Sequence, residues 1–263
     1  MNRRLLITGA GGFLGSRICE YYSNRDGYEA VGVTHRELDI EDFVAVSAFI
    51  KAIRPDYVLH CAAISNTGTC ERNPVLSEKV NVRGTINLAK ACRNAGSRMI
   101  FTSSDQIYNT SHSMEPNREG SEGKPGNVYG RDKKRAEEAM LTYLPDAVAL
   151  RLTWMYDAPS RGRAAGQGLL QKLADALKER REVEFPVHDY RGITYVWEVV
   201  RHLEEAMGLP GGVYNFGSEN RYNTFDTARL FLRELAGSDS AGILKRNDER
   251  FASCPRNLTM DTD

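Results

Sequence analysis

Arg4-Leu5-Leu6-Ile7-Thr8-Gly9-Ala10-Gly11-Gly12-Phe13-Leu14-Gly15 begins with a short apolar run, passes through a glycine-rich turn and enters a helical pattern. Strand, turn and helix in that order make a dinucleotide cradle, and the glycines at 9, 12 and 15 each have a separate task. The turn needs a residue that tolerates positive φ, the backbone must come close to a pyrophosphate, and the helix must lie close to the strand. The amides of Gly12, Phe13, Leu14 and Gly15 then face an anion at a helix N-terminus, where the macrodipole favours negative charge.

Working outward, apolar strand-like runs alternate with helical patterns: Arg4 to Thr8 strand, Phe13 to Ser23 helix, Glu29 to Thr34 strand, Asp42 to Ile53 helix. The alternation continues with strand Tyr57 to Cys61, helix Val75 to Ala95, strand Arg98 to Ser103, helix Tyr129 to Leu144 and strand Ala147 to Leu152. Such alternation predicts an α/β fold with a doubly wound parallel sheet. Residues 1–155 read as the nucleotide-binding domain. Residues 156–263 read mainly as a small substrate cap, with helices at 169–181, 196–207 and 224–235, and with some segments returning to the sheet. Asn109 to Asn127 loses the apolar rhythm, and its place between the chemistry-bearing segments suggests a lid. A second irregular stretch, 157–168, carries Arg161 and Arg163 among glycines.

The composition narrows the function. Lys plus Arg and Asp plus Glu number 35 each in 263 residues, which leaves no basic field to draw nucleic acid or an anionic membrane. Five cysteines without a C-x-x-C pair argue against a disulfide framework or a zinc knuckle, and so for a reducing compartment. No run approaches the ~20 apolar residues of a membrane span, and Gly9, Gly11 and Gly12 interrupt the N-terminal apolar stretch too early for a signal peptide. The expectation is a cytoplasmic protein with a small-molecule substrate and no metal, a homodimer being left open.

Tyr129 and Lys133 lie four apart, on one face of a helix. A phenol is protonated at neutral pH and can give its proton to a nascent alkoxide, and a nearby ammonium would lower its pKa toward a useful range. The pair suits carbonyl reduction. Ser103 and Ser104 both bring a hydroxyl to the end of the preceding strand. Cofactor choice turns on the end of the second strand, where Thr34-His35-Arg36 places a guanidinium at the position of a ribose phosphate. This favours NADPH, with NADH open because Glu37 follows at once. His60, His112 and His188 lack ligand spacing and are read as structural, with His188 a distant candidate for a substrate contact.

The G-x-x-G-x-x-G spacing with its preceding Thr8, the strand-end serine and the Tyr129/Lys133 pair together resemble the extended short-chain dehydrogenase/reductases, whose nucleotide-binding domain is a Rossmann fold. Asn127-Val128-Tyr129-Gly130-Arg131-Asp132-Lys133, Leu150-Arg151-Leu152-Thr153-Trp154-Met155-Tyr156 and Gly192-Ile193-Thr194-Tyr195-Val196 are similar to motifs of the dTDP-4-dehydrorhamnose reductase branch. The resemblance implies Tyr129 as acid/base, Lys133 also holding the nicotinamide ribose, and Ser104 bonding the carbonyl oxygen. It puts Asp39 and Ile40 at the adenine, Cys61-Ala62-Ala63 and Asn81 along the cofactor, and Asp105, Gln106 and Trp154 at the substrate. Asp39 reads equally as a helix N-cap.

Two departures bear on the substrate. Gln106 stands where the branch has a tyrosine, and Asn66-Thr67-Gly68-Thr69-Cys70-Glu71 replaces its V-D-K-A-E. The chain stops at Asp263, where the branch continues into a further helix, so the expectation is either a trimmed terminus or a short cap. The resemblance implies an NADPH-dependent reductase acting on a keto group of a nucleotide-activated sugar. An epimerase or dehydratase that retains its nicotinamide stays open, as does a cofactor-binding regulatory subunit without turnover.

Overall fold

The computed structural model describes residues 2–158, 168–237 and 242–262; Arg161 and Arg163 lie outside them. Strand β1 (Arg3–Thr8) leads through the glycine turn into α1 (Phe13–Ser23), followed by β2 (Tyr28–Val33), α2 (Phe43–Ile53) and β3 (Tyr57–His60). After β3 come α3 (Thr67–Arg72), α4 (Pro74–Glu78), a π-helical turn over Lys79–Arg83 and α5 (Gly84–Ala95). Then β4 (Arg98–Ser104) runs into a 3-10 turn over Asp105–Tyr108, and α6 (Val128–Tyr143) is followed by β5 (Val148–Leu152) and β6 (Trp154–Tyr156). The rest comprises α7 (Leu169–Glu179), β7 (Val183–Pro186), β8 (Asp189–Arg191), β9 (Ile193–Tyr195), α8 (Val196–Gly208), β10 (Gly212–Phe216), α9 (Thr224–Ala236), β11 (Leu244–Asn247) and β12 (Arg256–Leu258).

Six parallel strands form the central sheet in the order β10-β5-β4-β3-β1-β2. The strands read as apolar runs because both faces are covered. Along β4, Met99 and Phe101 enter the core beneath α2, α5 and α6, while Ile100 between them enters the opposite core with α1 and α8. Each fully buried Leu, Ile or Phe of this kind contributes about 1.5–3 kcal/mol relative to exposure. The chain moves from β1 outward to β2 and returns to β3 on the other side of β1. That reversal opens a crevice at the carboxyl ends of the strands, where open α/β sheets take their ligands.

The later part of the chain returns β10 to this sheet and α8 to its face; α7, β7 and α9 close a separate small core around Leu169, Leu173, Phe185 and Phe225. Three two-stranded parallel ribbons, β11-β7, β12-β8 and β6-β9, complete it. The helix expected over 75–95 is not one helix. Pro74 starts it, and the π-turn at 79–83 interrupts the i→i−4 ladder where the Asn81 side chain leaves the helix to bond the Ile64 backbone.

The expectation of a lid over 109–127 also needs correcting. The middle of this segment is stitched down: Asn117 is buried, its amide donates to Thr259 O and its Nδ2 to Asn257 O and Thr259 O. Arg151 donates to Glu119 O, and the Glu119 carboxylate accepts from the Asn215 amide. A polar segment can lack apolar rhythm because it is held by side-chain amides, as here, and need not be loose.

Candidate active site

The cradle is built as its glycines require. Gly9 has φ +71°, and a Cβ there would meet the Ala62 amide at 2.7 Å; a Cβ on Gly15 would run into the Gly9 carbonyl. The Gly12 amide closes the turn on Gly9 O at 2.9 Å. Helix α1 starts without a side-chain cap and without an acidic residue in its first turn, so its N-terminal amides and dipole remain available to an anion. Cys61, Ala62 and Ala63 line the adjacent end of β3. Burial pushes the Cys61 thiol up to about 12, which makes it an inert wall and not a nucleophile.

At the end of β2, the Glu37 carboxylate turns back to accept from the Thr34 amide and hydroxyl, both at 2.8 Å, and these bonds hold it below the usual carboxylate range. Arg36 is exposed and has no side-chain partner among the described residues, which suits a phosphate. His35 is exposed beside Asp39 at 3.9 Å. Asp39 bonds the Glu41 amide, while the α2 N-cap is Asp42, which accepts from Val44 N and Ala45 N. Ile40 is buried against Gly84 of α5.

The reacting groups sit at the ends of β4 and the start of α6. Asn127 caps α6 by accepting from Gly130 N at 2.7 Å, which fixes the first turn carrying Tyr129. Tyr129 and Lys133 are both buried. The Lys133 ammonium donates to Thr102 O at 2.7 Å and lies over the Phe101 ring, 5.8 Å from the centroid of Tyr129. Burial lowers Lys133 to about 8, against the pull of Cys61 and Glu137. Burial also raises Tyr129, with the Ser104 hydroxyl bonding it and pulling the other way. The expectation that Lys133 lowers the phenol is thus corrected: desolvation dominates, and Tyr129 is held as a firmly protonated acid. Ser103 turns its hydroxyl to Glu137, whereas the Ser104 hydroxyl is the one that bonds Tyr129.

Asn81, in the π-turn, spends its amide on Ile64 N at 2.8 Å, Ile64 O at 3.1 Å and Ser77 Oγ at 3.2 Å, so it shapes the wall of the crevice from behind. His60 is clamped between Thr8 Oγ1 at 2.8 Å and Thr85 Oγ1 at 3.0 Å, and burial drives it down to about 3, keeping it neutral. His188 pairs its carbonyl with the Arg256 amide. Gln106 does not stand free for a ligand: its Nε2 bonds Asp105 Oδ1 at 3.3 Å and its Oε1 accepts from Asn127 Nδ2 at 3.0 Å. Trp154, on β6, carries the Arg191 guanidinium over its ring at 4.7 Å.

The residues that sequence reasoning missed include Arg191, Asp189 and the buried pair Arg17–Asp157, 2.7 Å apart beside the glycine turn. The Arg17 signal was an arginine on the apolar face of α1. Among the described residues, no group of three or more His, Cys, Asp and Glu is arranged to hold a metal ion, and no helix is long and apolar enough to cross a membrane.

A family model described as "RmlD substrate binding domain" matches residues 3–263. The chain is similar to the dTDP-4-dehydrorhamnose reductase of Mycolicibacterium smegmatis, with 31% identity over 260 residues, 95% of this chain and 74% of that one. It is also similar to the methionine adenosyltransferase 2 subunit beta of Xenopus tropicalis, at 32% identity over 97% of this chain and 78% of the relative. Among solved structures, the dTDP-4-dehydrorhamnose reductase of Bacillus anthracis in complex with NADP superposes with a TM-score of 0.88 at 21% identity, covering 100% of this chain and 92% of the other. At that identity the likeness is one of fold.

Proposed function

The chain belongs to the RmlD substrate binding domain family, and from that premise we propose that it is an NADPH-dependent reductase of a keto group on a nucleotide-activated sugar. The observation that carries the reading is the union at one crevice of an unspent phosphate cradle with a buried Ser104–Tyr129–Lys133 set. NADPH, when bound, supplies a hydride to the carbonyl carbon. Gly9, Gly12, Phe13, Leu14 and Gly15 hold its pyrophosphate on the α1 amides, and Arg36 meets the ribose phosphate. Lys133 uses one donor on Thr102 O and offers the others to the nicotinamide ribose. Ser104 and Tyr129 bond the carbonyl oxygen, and Tyr129 gives up its proton as the alkoxide forms. The free thiols suit a reducing cytosol.

A second reading, a cofactor-binding regulatory subunit, is favoured by the similarity to the adenosyltransferase beta subunit. The two readings separate when dTDP-4-dehydrorhamnose and NADPH are mixed with the protein, and sugar conversion is followed together with absorbance of the reduced nicotinamide. One-for-one loss of both is expected. Sugar conversion without NADPH loss would point to an epimerase with retained cofactor, and NADPH binding without conversion to the regulatory reading.

A further inference from the structure

Two buried polar atoms, one of them on the residue next to Ser104, have no partner among the described residues: Asp105 Oδ2 and Arg191 Nε. Asp105 directly follows Ser104 and is 4% exposed; its charge acts on the Tyr129 phenol. Its other oxygen is fixed by Ser104 Oγ at 3.2 Å and Gln106 Nε2 at 3.3 Å, so Oδ2 is left over by construction. Arg191, on β8, is equally fixed. Asp189 grips its Nη2 at 3.4 Å and Trp154 supports the guanidinium plane, leaving Nε unspent. Asp189 is itself anchored by Arg256 at 2.7 Å and by the Thr224 hydroxyl at 2.7 Å. Burial pushes its carboxyl up, yet Arg191 and Arg256 outweigh this and hold it at about 2, a lasting anion for Arg191 to lean on.

Burial pushes the Asp105 carboxyl up while the Arg191 charge pulls it down, and the two groups make no ion pair. A buried orphan acceptor and a buried orphan donor are each costly, and native proteins keep such atoms for a ligand or an ordered water. Their opposite senses restrict the ligand. A phosphate would satisfy Arg191 and be repelled by Asp105; an ammonium would do the reverse; a carbonyl can only accept. A hydroxyl accepts from Arg191 Nε and donates to Asp105 Oδ2 at once.

Resting on the reductase reading, we propose that Asp105 and Arg191 form a hydroxyl-recognition pair that binds the sugar hydroxyl next to the keto carbon. Gln106 serves by tying the Asp105 carboxylate to the α6 cap. The pair selects polyhydroxylated ketoses over ketones that lack the neighbouring hydroxyl, because an unfilled pair stays desolvated and unpaired.

The test varies the ligand first, so that it does not depend on a variant folding. Binding of dTDP-rhamnose and of its 3-deoxy analogue to the NADP-loaded protein is measured by calorimetry, alongside NADPH oxidation with the corresponding 4-keto sugars. Loss of the hydroxyl should weaken binding about tenfold to a hundredfold, the range of a charge-assisted hydrogen bond. Arg191→Met should weaken the hydroxylated ligand by a similar factor and leave the deoxy ligand unchanged. Equal binding of the two ligands by the wild type overturns the proposal and assigns the orphans to water, while one-for-one NADPH oxidation keeps the reductase reading. Discrimination in binding without NADPH oxidation upholds the pair and defeats the reductase reading. Binding of neither ligand overturns both.

Discussion

Arg36 and Glu37 stand side by side at the end of β2, and only one of them is free. Because Glu37 is spent on Thr34, the ribose phosphate meets a guanidinium without an opposing carboxylate in the way. NADPH should therefore bind more tightly than NADH, and Arg36→Ala should close the gap by about 1.5–3 kcal/mol. Fluorescence titration with both cofactors checks this; equal wild-type affinities would remove Arg36 from the site. Tyr129→Phe should lower turnover by ~10²- to 10⁴-fold while NADPH binding changes only a few-fold, since the phenol is an acid first and a cofactor contact second. A Tyr129→Phe protein that turns over normally would transfer the proton-donor role elsewhere.

Helix α6 carries more than Tyr129 and Lys133. One turn further on, Glu137 forms a buried ion pair with Arg151 of β5 at 2.8 Å, and Arg151 donates to Tyr108 Oη at 2.6 Å. The pair anchors the helix to the sheet, and the Glu137 charge helps keep Lys133 protonated. Lys133 is lowered, so it loses its proton as pH rises through about 8. Accordingly, kcat/KM, which reports the free enzyme, should fall above about pH 8. The sign for stability follows from the same shift. The cost of burying the ammonium is fully present below the folded value and disappears as pH rises toward the unfolded one of ~10.4, so apo stability should rise across that window. Glu137→Gln should move the break in kcat/KM to lower pH and cost about 3–5 kcal/mol in denaturant unfolding, because Arg151 is left buried and unpaired. An unmoved break would mean that Glu137 only holds the helix. At this scale the sequence was legible wherever one element carried the signal. The glycine turn lies within a few consecutive residues, and Tyr129 and Lys133 share a helix face. The π-turn at 79–83 was hidden because its apolar spacing continues that of α5, and only the distant Ile64 backbone makes Asn81 leave the ladder. The Asp105/Arg191 pair was hidden for a similar reason: the 3-10 turn after β4 and the distant strand β8 supply its halves, and no local spacing links them.

Across the whole molecule, three asparagines join the late part of the chain to the central sheet. Asn257, 1% exposed on β12, donates to Ser113 O and Glu115 O, both at 2.9 Å. Asn117 donates back to the 257–259 backbone. Asn215, on β10, donates to Asn117 O at 2.8 Å and Asp261 O at 2.9 Å, and accepts from Tyr108 Oη at 2.9 Å. Two backbone segments that lack an apolar pattern of their own thereby become a fixed wall beside the 3-10 turn that carries Asp105 and Gln106. A lid and a wall make different demands on the same amides. In a lid, the Asn117 and Asn215 amides would exchange freely until ligand closed the segment over the crevice. In a wall, both remain protected throughout, since they open only with the strands they join. Hydrogen exchange at these two amides, compared with and without NADPH, should show slow exchange in both states. The Asn215→Ala variant should loosen the backbone at Asn117 and at Asp261 together, because its Nδ2 is shared between their two carbonyls. Protection that arises only on adding cofactor would restore the lid and make segment 109–127 the moving part of the enzyme.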